Sequence, residues 1–308
     1  MMDASGGPKV RLGVDLGGTK IAGVAFGPED AIVAEHRMAA PRHGYAATLG
    51  GIGDMVARLE QGAGARGTVG IGMPGSISPV TGLAQNANST WLNGRPFARD
   101  VEAHLGRPVR LANDANCFAL SEAVDGAGAG AASVFGVILG TGCGGGLVCN
   151  GQLIDGPLGI GGEWGHNPLP WAAQDEHPGP RCWCSRHGCM ETWVSGPGLE
   201  ADHTRVTGET LASEEIAARA ARGDVQAQAS LDRHTSRLAR GLAHVVNIID
   251  PHVIVLGGGL SQLSHLYAVL PSRMAPLVFA EHVHVAVRPP RWGDASGVRG
   301  AARLWGKS

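Results

Sequence analysis

Three cysteines and a histidine have the spacing of a closed metal site. Cys182, Cys184 and Cys189 form a C-x-C-x4-C pattern, and His166 lies sixteen residues upstream. Three thiolates and one imidazole suit tetrahedral zinc with no open position, which is the structural kind of site. A disulfide would leave one thiol unpaired, and the rival imidazole of His187 lies inside the cysteine loop, where geometry disfavours it. The spacing therefore predicts a structural Zn²⁺ site.

Asp114 has a position that suits acid–base chemistry. It lies in the segment Asn113–Asn116, N-D-A-N, directly after a predicted buried strand and at the start of a predicted helix. A helix start keeps a carboxylate ionised, and an ionised carboxylate accepts protons from reacting hydroxyl groups. Aspartate is also a preferred capping residue. The residues alone therefore leave a general base and a helix cap as open alternatives.

Glycine-rich turns follow predicted strands at three places. Residues 140–145 match G-x-G-x-x-G, but a strand-like run follows instead of the helix that a dinucleotide-binding motif requires. A strand, a glycine turn and a strand make a hairpin whose tip exposes N–H groups to phosphate oxygens. Gly17-Gly18-Thr19 forms a second such turn, and Gly257–Gly259 ends another strand. Ordinary hairpin turns are the alternative, but the repetition favours a nucleotide site.

Four residues at these turns have the chemistry to bind phosphate. Asp15 lies just before the first turn, where a carboxylate repels phosphate unless Mg²⁺ lies between them; a turn-capping aspartate is the alternative. Thr19 and Thr141 hold equivalent positions, and their hydroxyl groups are candidate phosphate donors. Lys20 fits a phosphate contact and a solvated surface charge equally well.

The elements around these residues alternate as in an α/β protein. Strands are predicted over 10–16, 20–26, 32–39, 68–75, 108–112, 133–139, 147–151 and 251–260, and helices over 45–60, 95–106, 113–124, 212–248 and 296–305. Residues 156–198 form an irregular insert rich in Gly, Pro, Trp and Cys. A strand, a glycine turn and a strand occur twice, at 11–26 and 133–151, which indicates an internal duplication.

Composition excludes several classes of protein. The net charge of -2 leaves no basic excess for nucleic-acid binding. No apolar run reaches the roughly 18 to 20 residues of a membrane span, and the N-terminal segment lacks a secretory apolar region. A cytoplasmic protein with a frayed tail before residue 10 is expected. Glycine makes up 49 of 308 residues, against a usual ~7%, which favours tight turns and close backbone approaches to a ligand.

Several motifs resemble those of the ROK family (repressors, open reading frames, kinases). Val14–Lys20, V-D-L-G-G-T-K, is similar to its first phosphate motif, Leu139–Gly142 to its second, and Val255–Gly259 to its adenosine motif. The similarity spans residues 10–305. It implies the two-domain actin-like, hexokinase-like ATPase fold of duplicated ribonuclease H-like α/β domains. In that fold the C-terminal helix crosses back to the first domain.

The resemblance also implies domain boundaries and site residues. Residues 10–118 plus 293–308 would form a small N-terminal domain, and 119–292 a larger C-terminal domain with a zinc-stabilised loop of about 156–198. Asp114 would be the catalytic base. The sugar would be bound by Gly75, Asn88, Asn113, Asp114, Glu163, His166 and Glu191. ATP would be bound by Asp15, Gly17, Gly18, Thr19, Lys20, Gly140, Thr141, Gly142, Gly257, Gly258 and Gly259.

The zinc loop departs from the family pattern at one position. Ser185 stands where the motif has glycine after the second cysteine, which removes no ligand. His166 would bind zinc through one ring nitrogen and a sugar hydroxyl through the other.

Within the family, the chain most resembles bacterial fructokinases that also accept mannose. The expected reaction is ATP- and Mg²⁺-dependent phosphorylation of D-fructose at the 6-hydroxyl, with glucokinase or N-acetylglucosamine kinase as alternatives. The bulky segments 86–91 and 162–168 are expected to leave little room for an acetamido group. A sugar-responsive repressor is disfavoured, since only thirteen residues precede Val14. The expected partners are a hexose and ATP, without nucleic acid or membrane, in a homodimer.

Overall fold

A computed structural model describes residues 10–41 and 44–306 of the chain. The tail expected before residue 10 lies outside the described residues. No helix among the described residues has the length and apolar character needed to cross a membrane.

The first half of the chain forms a five-stranded sheet. Its elements are β1 (Arg11–Leu16), β2 (Lys20–Phe26), β3 (Ile32–Ala39), α1 (Tyr45–Ala63), β4 (Thr68–Met73), the short hairpin β5 (Ser76–Ile77) and β6 (Ala84–Gln85), α2 (Phe97–Leu105) and β7 (Val109–Asn113). The strand order is β3-β2-β1-β4-β7, in which β1 is antiparallel to β2 and parallel to β4. The predicted bounds of β2 and β3 match the structure.

The second half repeats this arrangement. After α3 (Asp114–Val124) come β8 (Ser133–Leu139), β9 (Cys143–Cys149), β10 (Gln152–Leu153), α4 (Glu191–Val194), α5 (Gly196–Thr207), α6 (Ser213–Ala221), α7 (Val225–Ile249), β11 (Val253–Gly257), α8 (His265–Met274), β12 (Ala286–Arg288) and α9 (Ser296–Ala302). The strand order β10-β9-β8-β11-β12 has the same directions as the first sheet, with β8 antiparallel to β9 and parallel to β11. The internal duplication and the predicted fold class are confirmed.

Helices α3 and α9 pack together between the two sheets. Gly300 permits the contact, because a Cβ there would lie 1.7 Å from the carbonyl oxygen of Cys117. The C-terminal end of α9 also packs on the first sheet, where a Cβ at Gly70 would lie 1.8 Å from the carbonyl oxygen of Ala301. The last helix therefore returns to the first half of the chain. The predicted domain boundaries themselves stay a prediction.

Glycines 144–146, predicted as a turn, lie inside β9. A Cβ at Gly145 would lie 2.7 Å from the Trp164 side chain, and one at Gly146 would lie 2.8 Å from the carbonyl oxygen of Ala115. These glycines let the segment around Trp164 and helix α3 approach β9 closely. Close packing, not chain reversal, accounts for them.

The helical region predicted over 212–248 is two helices. Gly223 adopts φ +90, and the Asp224 side chain accepts hydrogen bonds from the N–H groups of Gln226 and Ala227 at the start of α7. Helices α5 and α8 and strand β12 were not predicted from the sequence. The predicted strand 251–260 is shorter in the structure, and the last helix ends at Ala302.

Candidate active site

A cavity of about 490 Å³ lies between the two halves of the molecule. Its lining includes all seven residues that were predicted to bind the sugar: Gly75, Asn88, Asn113, Asp114, Glu163, His166 and Glu191. They come from both halves, since the first four lie on loops and the strand–helix junction near the first sheet, and the others on the insert that follows β10. The fold therefore brings these residues together over a sequence distance of more than one hundred residues.

The junction between β7 and α3 is held by Asn113. Its Oδ1 accepts a hydrogen bond from the N–H of Ala115 at 2.8 Å, and its Nδ2 donates to the carbonyl oxygen of Gly75 at 3.1 Å. Gly75 has φ +70, and a Cβ there would lie 2.2 Å from the carbonyl oxygen of Gln85. Asn113 is thus the N-cap of α3, and Asp114, the first helical residue, is not required for that role.

Burial in the cleft raises the pKa of the two central carboxyl groups. The Asp114 side chain is open to the cavity and surrounded by protein elsewhere; burial raises its pKa, although the Ala115 N–H lowers it. Burial and then the charges of Asp114 and Glu191 raise the pKa of Glu163. Desolvation thus works against the ionised form of Asp114, which the helix start and the Ala115 N–H favour. A raised pKa lies closer to neutral pH, and a general base is most effective when its pKa is near the pH at which the enzyme works.

Glu191 is fixed by two donors from different segments. Its Oε2 accepts a hydrogen bond from the Cys143 N–H at 3.0 Å, and its Oε1 accepts from the indole N–H of Trp183 at 2.7 Å. Cys143 begins β9, and Glu191 begins α4, so this carboxylate joins the second sheet to the insert.

A second cavity of about 570 Å³ adjoins the first at Thr141. Its lining contains predicted ATP residues from two of the glycine turns, Gly140, Thr141 and Gly259, together with Gly196, Pro197, Glu200, Ser213, Glu214, Ala217, Leu260, Gln262 and Leu263. The two turns touch, since a Cβ at Gly258, which has φ +80, would lie 2.4 Å from the carbonyl oxygen of Leu139. Gly142 lines the first cavity, while Gly257 is buried at the end of β11.

The first glycine turn lies apart from both large cavities. Gly17 and Gly18 line a crevice of about 20 Å³, which shares Pro74 with the first cavity. Thr19 is exposed at the hairpin tip. The Lys20 ammonium lies 3.5 Å from the carboxylate of Asp294, and 52% of its side chain is exposed. The structure thus places Lys20 as a surface ion pair, outside the cavities.

Asp15 is a buried carboxyl group beside this turn. Its oxygens lie 3.2 Å and 3.1 Å from where Cβ atoms at Gly72 and Gly297 would be, so these glycines make room for it. Burial and the charge of Asp114 raise its pKa to about 7, while Lys20 lowers it. A buried carboxylate set between glycines and another acid is a site that suits a bound cation.

Asp15→Asn is expected to increase stability at alkaline pH. Folded Asp15 keeps its proton up to about pH 7, whereas the unfolded chain releases it near 3.8, so the free energy of unfolding falls as pH rises between these values. The substitution should raise Tm by about 2–4 °C near pH 8, corresponding to about 1 kcal/mol, and by less near pH 5. Thermal unfolding at both pH values measures this.

Asp224→Asn is the matched control for that experiment. Asp224 is a partly exposed helix-capping aspartate, and asparagine caps equally well, so this variant should not gain stability near pH 8. An Asp15→Asn variant with a lower Tm than the wild type at both pH values would contradict the prediction that the ionised Asp15 carboxylate destabilises the folded protein.

The predicted metal ligands form a tight cluster. The ligand atoms of His166, Cys182, Cys184 and Cys189 all lie within 4.8 Å of one another. The Sγ atoms of Cys184 and Cys189 are 3.6 Å apart, and the Cys182 Sγ is 3.5 Å from His166 Nδ1. Two sulfur ligands of one tetrahedral zinc ion lie about 3.8 Å apart at the usual bond length. The donor set and its spacing fit zinc.

The geometry of the metal loop shows the positions of His187, the rival imidazole, and Ser185, the departure from the family pattern. His187 lies outside the cluster, and its backbone pairs with Arg181. Ser185 adopts φ +74, the left-handed conformation in which glycine is preferred. The glycine of the family pattern therefore has a conformational reason, and serine there carries a local backbone cost.

The cavity has lining residues that sequence analysis missed. Asn86 and Trp183 border it, as do Pro74, Ile138, Cys143 and Gly144. For Asn86 a signal existed: Asn86 and Asn88 are exposed and Ala87 between them is buried, as the alternation N-A-N suggests. Trp183 lies between two cysteines of the metal motif, and nothing in its residue type or position in the sequence indicates the direction of its side chain.

Similarity to known proteins of one family extends over nearly the whole chain. The sequence model of the ROK family matches residues 11–308. An N-acetyl-D-glucosamine kinase from Pasteurella multocida (strain Pm70) is 38% identical over 301 residues, covering 96% of this chain and 99% of that protein. A ROK hexokinase from Thermus thermophilus superposes with a TM-score of 0.85 at 31% identity, covering 96% of this chain and 97% of that one. A ROK family glucokinase from Streptomyces griseus, solved with glucose and AMPPNP, superposes with a TM-score of 0.76 at 28% identity, covering 96% and 98%.

Proposed function

Because the chain belongs to the ROK family and is an ATP-dependent sugar kinase, we propose that its substrate is N-acetyl-D-glucosamine and that the C6 hydroxyl is phosphorylated. The observation that carries the proposal is the cavity that gathers Asp114, Glu163, His166 and Glu191 and shares the lining residue Thr141 with the second cavity. A sugar in the first cavity and ATP in the second would meet beside Thr141.

Asp114 is the proposed base for the attacking hydroxyl. Its carboxylate faces the cavity, Asn113 already caps the helix, and burial raises its pKa. The group would accept the proton of the C6 hydroxyl as the oxygen attacks the γ-phosphorus. An exocyclic CH₂OH rotates freely, so it aligns with the phosphate more easily than a ring hydroxyl does.

The remaining polar groups of the cavity are proposed to hold the ring hydroxyls. Asn88 and Glu163 approach from opposite halves of the molecule, and His166 and Glu191 lie at the metal loop. Such groups discriminate strongly, because a sugar that lacks a hydroxyl partner leaves them unpaired. A zinc ion would fix the loop through His166 Nδ1 and the three cysteines, which leaves Nε2 of the imidazole for the sugar.

Positioning and charge stabilisation dominate phosphoryl transfer, and the glycine turns are proposed to supply both. In the turn Gly140–Gly142, the N–H groups of Thr141 and Gly142 would contact ATP phosphates, because the Gly140 N–H already donates to the carbonyl oxygen of Gly142. The surface around Gly258 and Gly259 would contact the nucleoside. The buried Asp15 carboxylate has the setting to hold Mg²⁺, which would neutralise phosphate charge when bound. The first turn, Gly17–Thr19, would contribute from the other side of the cleft.

The fructokinase subtype expected from the sequence is not supported by the comparisons with known proteins. The similarity to an N-acetyl-D-glucosamine kinase favours the alternative substrate, N-acetyl-D-glucosamine. The segments 86–91 and 162–168 were expected to leave little room for an acetamido group. Both segments contribute polar residues to the cavity, but the bulkiest side chain of each, Trp91 and Trp164, lies outside its lining. The Trp91 indole N–H donates to Thr48 Oγ1 at 3.1 Å, and the Trp164 indole N–H donates to the Gly144 carbonyl oxygen at 3.0 Å. A cavity of about 490 Å³ lies in the range of ligand sites in general.

Initial rates with four sugars test the proposal. With MgATP, kcat/KM for N-acetyl-D-glucosamine should exceed that for glucose, mannose and fructose by at least about tenfold. NMR of the product should show phosphate on C6. A higher kcat/KM for fructose would return the assignment to fructokinase, and no turnover of any of the four would overturn hexose phosphorylation itself.

A further inference from the structure

We propose that Trp183 is a specificity-determining residue that contacts the 2-acetamido group of the sugar. This inference rests on the proposed function, because it assigns a contact to that substrate. The residue lies between two cysteines of the metal cluster and borders the sugar cavity. Its indole ring would form the wall that distinguishes a 2-acetamido sugar from one with a 2-hydroxyl group.

Trp183 is exposed and yet firmly held. Its side chain is 63% exposed, while Cys182 and Cys184 on either side belong to the cluster. Its indole N–H donates to Glu191 Oε1 at 2.7 Å, and its ring meets the His166 ring edge-on, with centroids 4.9 Å apart. An aromatic surface that is fixed in place and open to a cavity gives a ligand an apolar contact at small entropic cost.

The elements that line the cavity indicate which end of the sugar reaches this tryptophan. Asp114 borders the cavity from the junction of β7 and α3, next to the first sheet. Trp183 borders the same cavity from the metal loop of the insert, where its indole N–H is bonded to Glu191. A sugar in the cavity therefore lies between the wall that carries Asp114 and the wall that carries Glu191 and Trp183.

The chemistry of the pyranose ring completes the argument. C2 lies across the ring from C5, the carbon that carries C6. When the C6 hydroxyl is at Asp114, the substituent on C2 points toward the end formed by Glu191, His166 and Trp183. An acetamido group has a methyl and a flat amide that pack on an aromatic face, whereas a hydroxyl is too short to reach it.

Trp183→Ala and Trp183→Phe test the contact. For Trp183→Ala, we expect the ratio of kcat/KM for N-acetyl-D-glucosamine to that for glucose to fall about tenfold or more, through a higher KM for the acetamido sugar. Trp183→Phe keeps an aromatic face and should retain most of the ratio. N-acetyl-D-glucosamine should quench the fluorescence of the wild type in the absence of ATP and quench that of Trp183→Phe less.

Trp171→Ala is the matched control, because Trp171 is 52% exposed and lies outside the sugar cavity. The control should keep the wild-type ratio, and zinc content should be measured for every variant. Equal losses with both sugars, or no loss, in zinc-replete Trp183→Ala would overturn the contact. If that variant loses zinc, Trp183→Leu decides instead by the same ratio. The wild-type sugar preference tests the proposed function separately.

Discussion

Asp114→Asn is expected to lower kcat by at least about 10²-fold while KM for the sugar changes by less than about threefold. Asparagine has almost the same shape and retains an oxygen that accepts from the Ala115 N–H, but it cannot take a proton from the C6 hydroxyl. Asn113 remains the cap of α3, so the helix should keep its stability. Steady-state kinetics and thermal unfolding of the purified variant measure both effects.

Asp224→Asn is the control that shows what the same substitution does at an aspartate that only caps a helix. Asp224 also stands at the start of a helix and accepts from two backbone N–H groups, but it lies far along the chain on α7 and outside the sugar cavity. This variant should retain wild-type kcat. If Asp114→Asn keeps more than about a third of wild-type kcat, a general base at this position is excluded.

The pH profile gives a second view of the same group. Asp114 and Glu163 both have a raised pKa. A base must be ionised to act, so kcat/KM should fall as the pH is lowered through the raised pKa. That acid limb should therefore lie above the ordinary range of carboxyl groups.

Removal of the metal is expected to cost both stability and activity. Cys184→Ala leaves three ligands, and bound zinc contributes folding free energy directly, so the loss should reach at least about 3 kcal/mol, or near 10 °C in Tm. Glu191 follows the cluster by two residues and His166 belongs to it, so the KM for the sugar should rise as well. Elemental analysis, thermal unfolding and kinetics measure the three effects.

Cys149→Ala is the matched cysteine control. Cys149 ends β9 and lies outside the cluster, so this variant should keep about one zinc ion per chain and the wild-type KM. Wild-type protein with essentially no zinc, yet with full activity, would rule out the structural metal site.

The sequence by itself determined those features that depend on neighbouring residues. The cysteine pattern spans only eight residues, so its loop brings the thiolates together with little help from the rest of the fold. The strands on either side of the first glycine turn pair with each other, and their predicted bounds from Lys20 onward agree with the structure. The repeated strand–turn–strand pattern also predicted the duplicated sheets, because hairpin pairing is local.

Only the tertiary structure decided the features that depend on distant contacts. Glycines 144–146 looked like a turn, and the packing of Ala115 and Trp164 against β9 showed why they are glycine within a strand. The segments 86–91 and 162–168 were expected to narrow the sugar site, but hydrogen bonds to Thr48 and Gly144 hold their tryptophans, Trp91 and Trp164, outside its lining.

Trp183 is a residue that lies at the site although its sequence position did not predict it. Its sequence position between two cysteines is compatible with any orientation, and the carboxylate of Glu191 and the ring of His166 fix it at the cavity. Residue type and local spacing determine which groups are available for chemistry. The direction of a side chain in an irregular loop depends on partners that the folded chain brings from elsewhere, so the shape and selectivity of the site were decided by the tertiary structure.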